Sequence, residues 1–179
     1  FGYDHVGRQV RMTDGLGRTE RSTFDVFGRL ASEQDLAPNQ TVLRTQSYGY
    51  DRAGNLTSAT DPMQRTTNYT YDALSRLVRQ VEPTSATASI TTSFGYDAAG
   101  NRTRYTDGRG NVTVYTTNAL GLAESVIEPA TAAHPAATDR TWTVSYDADG
   151  NPVRLAAPGG DSRVRDFDLA GRLTGETGA

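Results

Sequence analysis

Tyr50-Asp51-Arg52-Ala53-Gly54-Asn55-Leu56 spells out a chain reversal residue by residue. An Asp that opens a turn accepts hydrogen bonds from backbone N–H groups ahead of it. A Gly three positions later takes the positive φ that side chains resist. Together they describe a type I turn followed by one left-handed residue, a common closure for a short β-hairpin. The heptad alone fixes one reversal; its recurrence fixes the fold.

Working outward, the same aromatic–Asp pair with a Gly three residues after the Asp returns along the chain. Copies stand at Tyr3-Asp4 with Gly7, Phe24-Asp25 with Gly28, Tyr96-Asp97 with Gly100, Tyr146-Asp147 with Gly150, and Phe167-Asp168 with Gly171. Tyr71-Asp72 carries Ser75 in place of the Gly, and Thr117-Asn118 with Gly121 is a degenerate copy. The eight motifs start at 3, 24, 50, 71, 96, 117, 146 and 167, so every second interval is 21 residues and the others are 25, 26 or 29. Self-similarity at a steady period marks a repeat array. Residues 1–179 therefore read as a single tandem array, expected to be a slice of a larger chain.

A second turn signal holds a fixed place inside the 21-residue intervals: Asp14-Gly15-Leu16-Gly17, Asp61-Pro62-Met63-Gln64, Asp107-Gly108-Arg109-Gly110 and, more loosely, Pro158-Gly159-Gly160-Asp161. The longer intervals hold stretches 35–40, 82–87 and 128–137, whose composition is that of exposed loops. Between turns the residues alternate as strands do. Ile90, Thr92, Phe94 and Tyr96 oppose Thr91, Ser93 and Gly95, and Trp142, Val144 and Tyr146 oppose Thr141, Thr143 and Ser145. Eight motif turns with turns between them predict about sixteen short strands. The expected fold is all-β: antiparallel hairpins following one another in a continuous meandering sheet. The motif aromatics should pack on adjoining hairpins, because an isolated two-stranded ribbon is marginal.

Composition agrees and removes other classes. The 36% hydrophobic content is low for a globular domain (an expected 45–50% that also counts Gly), and mean hydropathy is −0.58. No apolar run is long enough to span a membrane as a helix, and Phe1-Gly2-Tyr3-Asp4 does not start a signal peptide. With no Cys, disulfide scaffolds and thiolate metal sites drop out. A net charge of −3 gives no electrostatic footprint for nucleic acid.

The motif resembles the YD repeats of bacterial Rhs proteins, of the shell-forming components of insecticidal Tc toxins, and of teneurins. The resemblance rests on Tyr50-Asp51 through Leu56 followed by Asp61, Arg65, Thr66, Tyr69, Tyr71 and Asp72, and it extends over essentially the whole chain. It implies a hairpin strip that winds into a hollow shell around a polypeptide cargo, often a toxin. Adjacent repeats and the enclosed cargo would be the partners. Location would follow: secreted, delivered by a bacterial secretion system, or displayed at the cell surface.

Residues that suggest chemistry have simpler readings. Asp147, Asp149 and Asn151 lack the Gly and Glu positions of a calcium loop. His5 and His134 have no evident partner. Arg8, Arg29, Arg76 and Arg172, each following a turn Gly or Ser75, are expected to bond and ion-pair to neighbouring turn Asp residues rather than to bind phosphate or acidic glycans. No catalytic, cofactor or metal residue is assigned; the assigned residues are the structural motif positions. The expected function is a non-enzymatic shell scaffold. The alternative is a cell-surface adhesion module for glycan or protein, and unpaired sheet edges are expected to favour edge-to-edge association.

Overall fold

The computed structural model describes residues 1–178. Its contacts divide the chain into two compact units, Phe1–Thr91 and a second that starts at Thr92. The first contains β1 (Gly2–Tyr3), β2 (Gln9–Thr13), β3 (Thr19–Phe24), β4 (Leu30–Leu36), β5 (Val42–Tyr50), β6 (Leu56–Thr60), β7 (Thr66–Tyr71) and β8 (Leu77–Pro83). The strand β9 (Ser89–Tyr96) begins in the first unit and ends in the second. The second continues with β10 (Arg102–Thr106), β11 (Val112–Thr117), β12 (Ala123–Ile127), β13 (Thr141–Tyr146), β14 (Pro152–Ala156), β15 (Ser162–Phe167) and β16 (Leu173–Gly178). Strand order is chain order, and the pairing within each unit is antiparallel, as the turn spacing predicts. Among the described residues the one helical element is a 3₁₀ turn, Ala137–Arg140, inside the longest interval.

The sheet is a single layer, and burial reflects that. Among the described residues only Leu36 and Thr19 are buried, each 3% exposed, and they are cross-strand partners. The accessible surface is 11804 Å², against about 8,500 Å² for a compact monomer of this mass. A conventional two-layer core is absent among the described residues, so backbone ladders and turns carry the fold.

Three features differ from the sequence reading: stretch 82–87 reads as a loop, but Glu82 and Pro83 end β8; the other two concern stretch 35–40 and the motif hairpins. Stretch 35–40 reads as a loop, yet Asp35 and Leu36 belong to β4 and the reversal is confined to the residues after them. Ala37 N donates to Thr41 O at 2.9 Å, and Pro38 lies against Gly17 of the neighbouring turn. The third feature is a bulge. In all eight motif hairpins the residue seven positions after the motif aromatic is extra to the register: Val10, Ala31, Thr57, Val78, Thr103, Glu124, Val153 and Thr174. A bulge bends its strand and strengthens the local twist. Its trace in sequence is partial, a Gly before three of the aromatics (Gly2, Gly49 and Gly95). A Cβ on Gly2 would lie 3.2 Å from Arg11 Cβ, and one on Gly95 would lie 3.1 Å from Arg104 Cβ.

With so little buried, Leu36 should dominate side-chain stability. Leu36→Ala is expected to cost about 2–3 kcal/mol. Leu74→Ala, at a turn position 67% exposed, should cost about 0.5 kcal/mol or less. Urea unfolding of the two variants measures the difference; equal losses would show that no residue forms a local core.

Candidate functional site: the turn ladder and the sheet faces

Each motif turn closes around its first side chain. Asp4 N donates to Arg8 O at 2.9 Å, and Gly7 N donates to Asp4 O at 3.1 Å. Asp4 Oδ1 accepts from Val6 N at 3.0 Å and Arg8 N at 2.9 Å, while Oδ2 accepts from Arg8 Nε at 2.6 Å. Asp25 and Arg29, Asp72 and Arg76, and Asp168 and Arg172 repeat this ion pair, as do Asp14 and Arg18 and Asp61 and Arg65 at the opposite ends of the strands. Where Asn stands at that position, its amide replaces the guanidinium. Asn55, Asn101, Asn111 and Asn151 donate to Asp51, Asp97, Asp107 and Asp147 at 2.8–3.0 Å. The ion pairs of these arginines are thus to the Asp of their own turn, where the sequence suggested Asp residues of neighbouring turns.

One turn departs instructively. Asn118 opens it, and Leu122 takes the place of Arg or Asn. Asn118 Oδ1 still accepts from Leu120 N and Leu122 N, both at 3.0 Å. With no side-chain donor opposite, a neutral amide serves where a carboxylate would be left partly unmatched.

Successive motif turns also touch, which the motif alone does not reveal. The residue that closes one turn reaches the positive-φ position of the next. Arg8 Nη1 occupies the space where a side chain on Gly28 (φ +82°) would begin. Arg29 Nη1 donates to Asp51 O at 2.9 Å. Leu122 lies against Gly150, and Asn151 against Gly171. Asn55 Nδ2 donates at 3.0 Å to the Oγ of Ser75, which holds φ +60° without being Gly. The missing side chain at these positions therefore leaves room for the neighbouring turn as well as permitting the reversal. Gly7, Gly54, Gly100 and Gly121 share the positive φ.

The motif aromatics pack beside the same ladder. Arg8 lies 4.6 Å over the Phe24 ring, and Arg29 lies 4.6 Å over that of Tyr50. Tyr50 Oη donates to Leu30 O at 3.0 Å, and Tyr146 Oη to Ala123 O at 2.7 Å, so each ties its turn to the preceding motif hairpin. Tyr71, Tyr96 and Phe167 are, like these, half-buried, whereas Tyr3 is exposed. Loss of solvent contact, with Tyr69 and Asp51 adding charge repulsion, raises the Tyr71 phenol above its ordinary value.

These contacts hold the turn carboxylates below the usual carboxylate range. The Arg18 guanidinium is the main cause at Asp14, the Asn55 amide at Asp51, and the backbone N–H groups of Arg65 and Arg76 at Asp61 and Asp72. At Asp4 and Asp25 desolvation pushes upward, and the hydrogen bonds from Arg8 and Arg29 outweigh it.

Within each unit, cross-strand register sorts the side chains onto two faces. The motif aromatics share one of them. In the first unit this aromatic face holds the rows Glu20–Asp35–Arg44, Ser22–Glu33–Gln46 and Tyr48–Ala59–Thr67. In the second it holds Phe94–Tyr105–Thr113 and Tyr115–Val126–Trp142, the Phe94 and Tyr105 rings lying 5.6 Å apart. The opposite face is a hydroxyl face. Its rows include Thr23–Ser32–Ser47–Thr60–Thr66 in the first unit and Thr116–Ser125–Thr143–Ala156–Ser162 in the second. Paired hydroxyls bond across strands at Thr13–Thr19, Thr23–Ser32, Thr60–Thr66 and Thr116–Ser125, 2.7–3.0 Å apart. His5 and His134 are both exposed, His5 in a motif turn and His134 in the long interval.

Comparison with known proteins matches this repeat geometry. The family described as RHS Repeat matches residues 3–41 and 50–87. The chain carries Rhs-type repeats over these residues. Comparison with curated protein sequences gives no match. Among solved structures, the YD-repeat array is similar to TcdB2-TccC3 without its hypervariable C-terminal region, with a TM-score of 0.72 at 16% identity over 96% of this chain and 10% of that one. The TcdB2-TccC3-Cdc42 structure gives 0.70 at 16% identity over 96% and 10%. A Tc holotoxin pore from Photorhabdus luminescens gives 0.68 at 18% identity over 96% and 9%. The YD-repeat array described here thus spans about a tenth of the length of these chains and shares their fold across nearly all of its own.

Two outcomes follow from the ladder. Because the turn carboxylates have lowered pKa values in the folded state, the stability they contribute is complete above the unfolded Asp value of about 3.9 and disappears as pH falls through the folded values. Thermal melting should therefore hold steady from neutral pH down to about 5 and decline below about 4. Asp51→Asn, which keeps the Oδ1 acceptor as Asn118 does, should weaken that decline; Asp25→Asn should already destabilise at pH 7, since its amide would face the Arg29 guanidinium. A melting temperature that stays constant down to pH 3 contradicts the assignment. Separately, Gly28→Ala should cost about 1–2 kcal/mol from the left-handed backbone alone, more if Arg8 cannot move aside. A cost near zero in urea unfolding would remove Gly28 from the ladder.

Proposed function

We propose that this YD-repeat array is a stretch of wall in an Rhs-type shell, a non-enzymatic scaffold that encloses a polypeptide for delivery by a bacterium. The observation that carries the reading is the single layer. Every strand is spent on its neighbours, both faces remain solvated, and the motif turns brace one another in rows. Such a sheet separates two spaces better than it forms a pocket. Hydroxyl rows offer an enclosed chain hydrogen bonds without a continuous apolar surface on which to collapse. The fold shared with TcdB2-TccC3, one of whose structures lacks a hypervariable C-terminal region, supports a place within a much longer shell-forming chain. Its nearest partners in this reading are further YD repeats of the same chain, its content is a toxin polypeptide, and its destination lies outside the producing cell.

The test is protection. In the full-length protein that carries this array, the enclosed polypeptide should survive proteinase K while the repeats stay folded, and should be degraded in step with their unfolding in denaturant. Degradation of that segment at the rate of the free polypeptide, with the repeats intact, would overturn the reading. Tight binding of one glycan to the intact array would replace it with adhesion.

A further inference from the structure

The strand charges of the first unit are sorted by face. Its strands carry four carboxylates, Glu20, Glu33, Asp35 and Glu82. All four belong to the aromatic face: Glu20 and Asp35 oppose one another, Glu33 opposes Gln46, and Glu82 takes a hydrogen bond from Gln80, the partner of Tyr69. Of the four strand arginines only Arg44 joins them, paired with Asp35 at 2.6 Å. Arg11, Arg21 and Arg79 occupy the hydroxyl face. All three are exposed, and among the described residues none forms an ion pair.

Arg11 and Arg21 are direct cross-strand partners in β2 and β3. Like charges placed directly opposite one another in a sheet are destabilising, and among the described residues no carboxylate pairs with them. The next residue in their row is neutral: Gln34 Oε1 accepts from Arg21 Nε at 3.0 Å, and its Nε2 donates onward to Thr45 Oγ1 at 3.3 Å. The rows on either side are the hydroxyl pairs Thr13–Thr19 and Thr23–Ser32. The result is a surface of cationic and hydroxyl groups with no carboxylate of its own. The second unit does not share it. There Arg104 and Arg154 stand with Asp166 on the hydroxyl face, and Glu124 reaches Thr116 Oγ1 of that face at 3.5 Å.

We propose that the hydroxyl–arginine face of the first unit, centred on Arg11 and Arg21, receives an acidic segment of extended polypeptide. The inference rests on the wall reading and adds to it the face that meets the polypeptide and the chemistry it selects. Carboxylates of the segment pair with the two guanidiniums, and the Thr and Ser rows exchange hydrogen bonds with its backbone. A polypeptide fits better than a nucleic acid. In this unit the motif and strand aromatics lie on the other face, so the hydroxyl face offers bases no stacking platform of the kind single-strand binders use. Three unpaired cations on a chain of net charge −3 also fall short of the broad basic footprint that phosphate backbones require.

Fluorescence anisotropy of the 179-residue chain with a labelled unstructured Glu/Gly/Ser peptide tests this directly, the Lys/Gly/Ser counterpart and a single-stranded DNA oligonucleotide serving as competing probes. The Glu peptide should bind best, and raising the salt from about 0.05 M to 0.5 M should weaken it about tenfold or more, since the contacts are exposed charges. Arg11→Ser with Arg21→Ser should weaken binding about tenfold, with melting temperature unchanged or raised as the like-charge pair is relieved. Arg104→Ser with Arg154→Ser should leave binding unchanged. Equal binding of the Glu and Lys peptides, full retention by the Arg11/Arg21 variant, or tighter binding of the DNA would overturn the proposal. The outcomes separate the two readings: a segment protected from protease in the full-length protein without Glu selectivity sinks this inference alone. Glu selectivity without protection sinks the wall reading and leaves a binding surface.

Discussion

A carboxylate that accepts the backbone N–H groups of its own turn is the interaction on which this molecule depends. A single β-layer has no second layer to press against, so it gains little from burial; among the described residues only Leu36 and Thr19 are buried. What keeps sixteen short strands in register is the fixing of their ends. Asp4 and its equivalents satisfy N–H groups that strand pairing cannot reach, and the same side chain orients the Arg or Asn that touches the following motif turn. One residue thus organises a reversal and the contact between reversals. Individually such exposed pairs contribute little. Repeated in register, they replace the core that the composition could not supply.

That dependence explains what the sequence discloses. Turn chemistry is local, so Tyr50 through Leu56 can be read as a hairpin end without knowing what lies beside it, and the 21-residue spacing gives the strand count. Contacts between turns are not local. Nothing in Arg8 alone says that it will occupy the space at Gly28, twenty residues away, although Ser75, the exception to Gly, receives a hydrogen bond there from Asn55. Strict alternation assumes one residue opposite one and so cannot show the bulges; their partial signal is the Gly before three of the aromatics, Gly2, Gly49 and Gly95. Pro38 and Asn39 give stretch 35–40 the look of a loop, but the strand runs to Leu36 because Thr19 lies across from it. The face separation of charge becomes visible only when registers are known, since each bulge shifts the alternation by one.

Energetics that reach only to the next hairpin also shape how such an array behaves. Stability in a stacked repeat is nearly a sum of local and nearest-neighbour contributions. A weak rung is therefore felt mainly beside itself, and length can change between rungs without disturbing them. The longest interval shows how. Its 3₁₀ turn, Ala137–Arg140, is carried away from the motif ends, while Glu128 N and Arg140 O still pair at 3.0 Å and Trp142 Nε1 donates to Glu128 Oε1 at 3.1 Å to close the excursion at its base.

The Asn118–Leu122 turn has a consequence for how these repeats diverge. In the other seven motif turns an Asp is matched four residues later by Arg or Asn; here the donor and the charge are lost together, and the turn keeps its shape. The two positions therefore behave as one heritable unit. A lineage that first replaced the donor by Leu would leave the carboxylate without its side-chain partner, whereas one that first replaced Asp by Asn keeps both backbone bonds and can accept Leu afterwards. Drift across this family of turns should follow that order, making the neutral rung a record of the mutational route by which it arose.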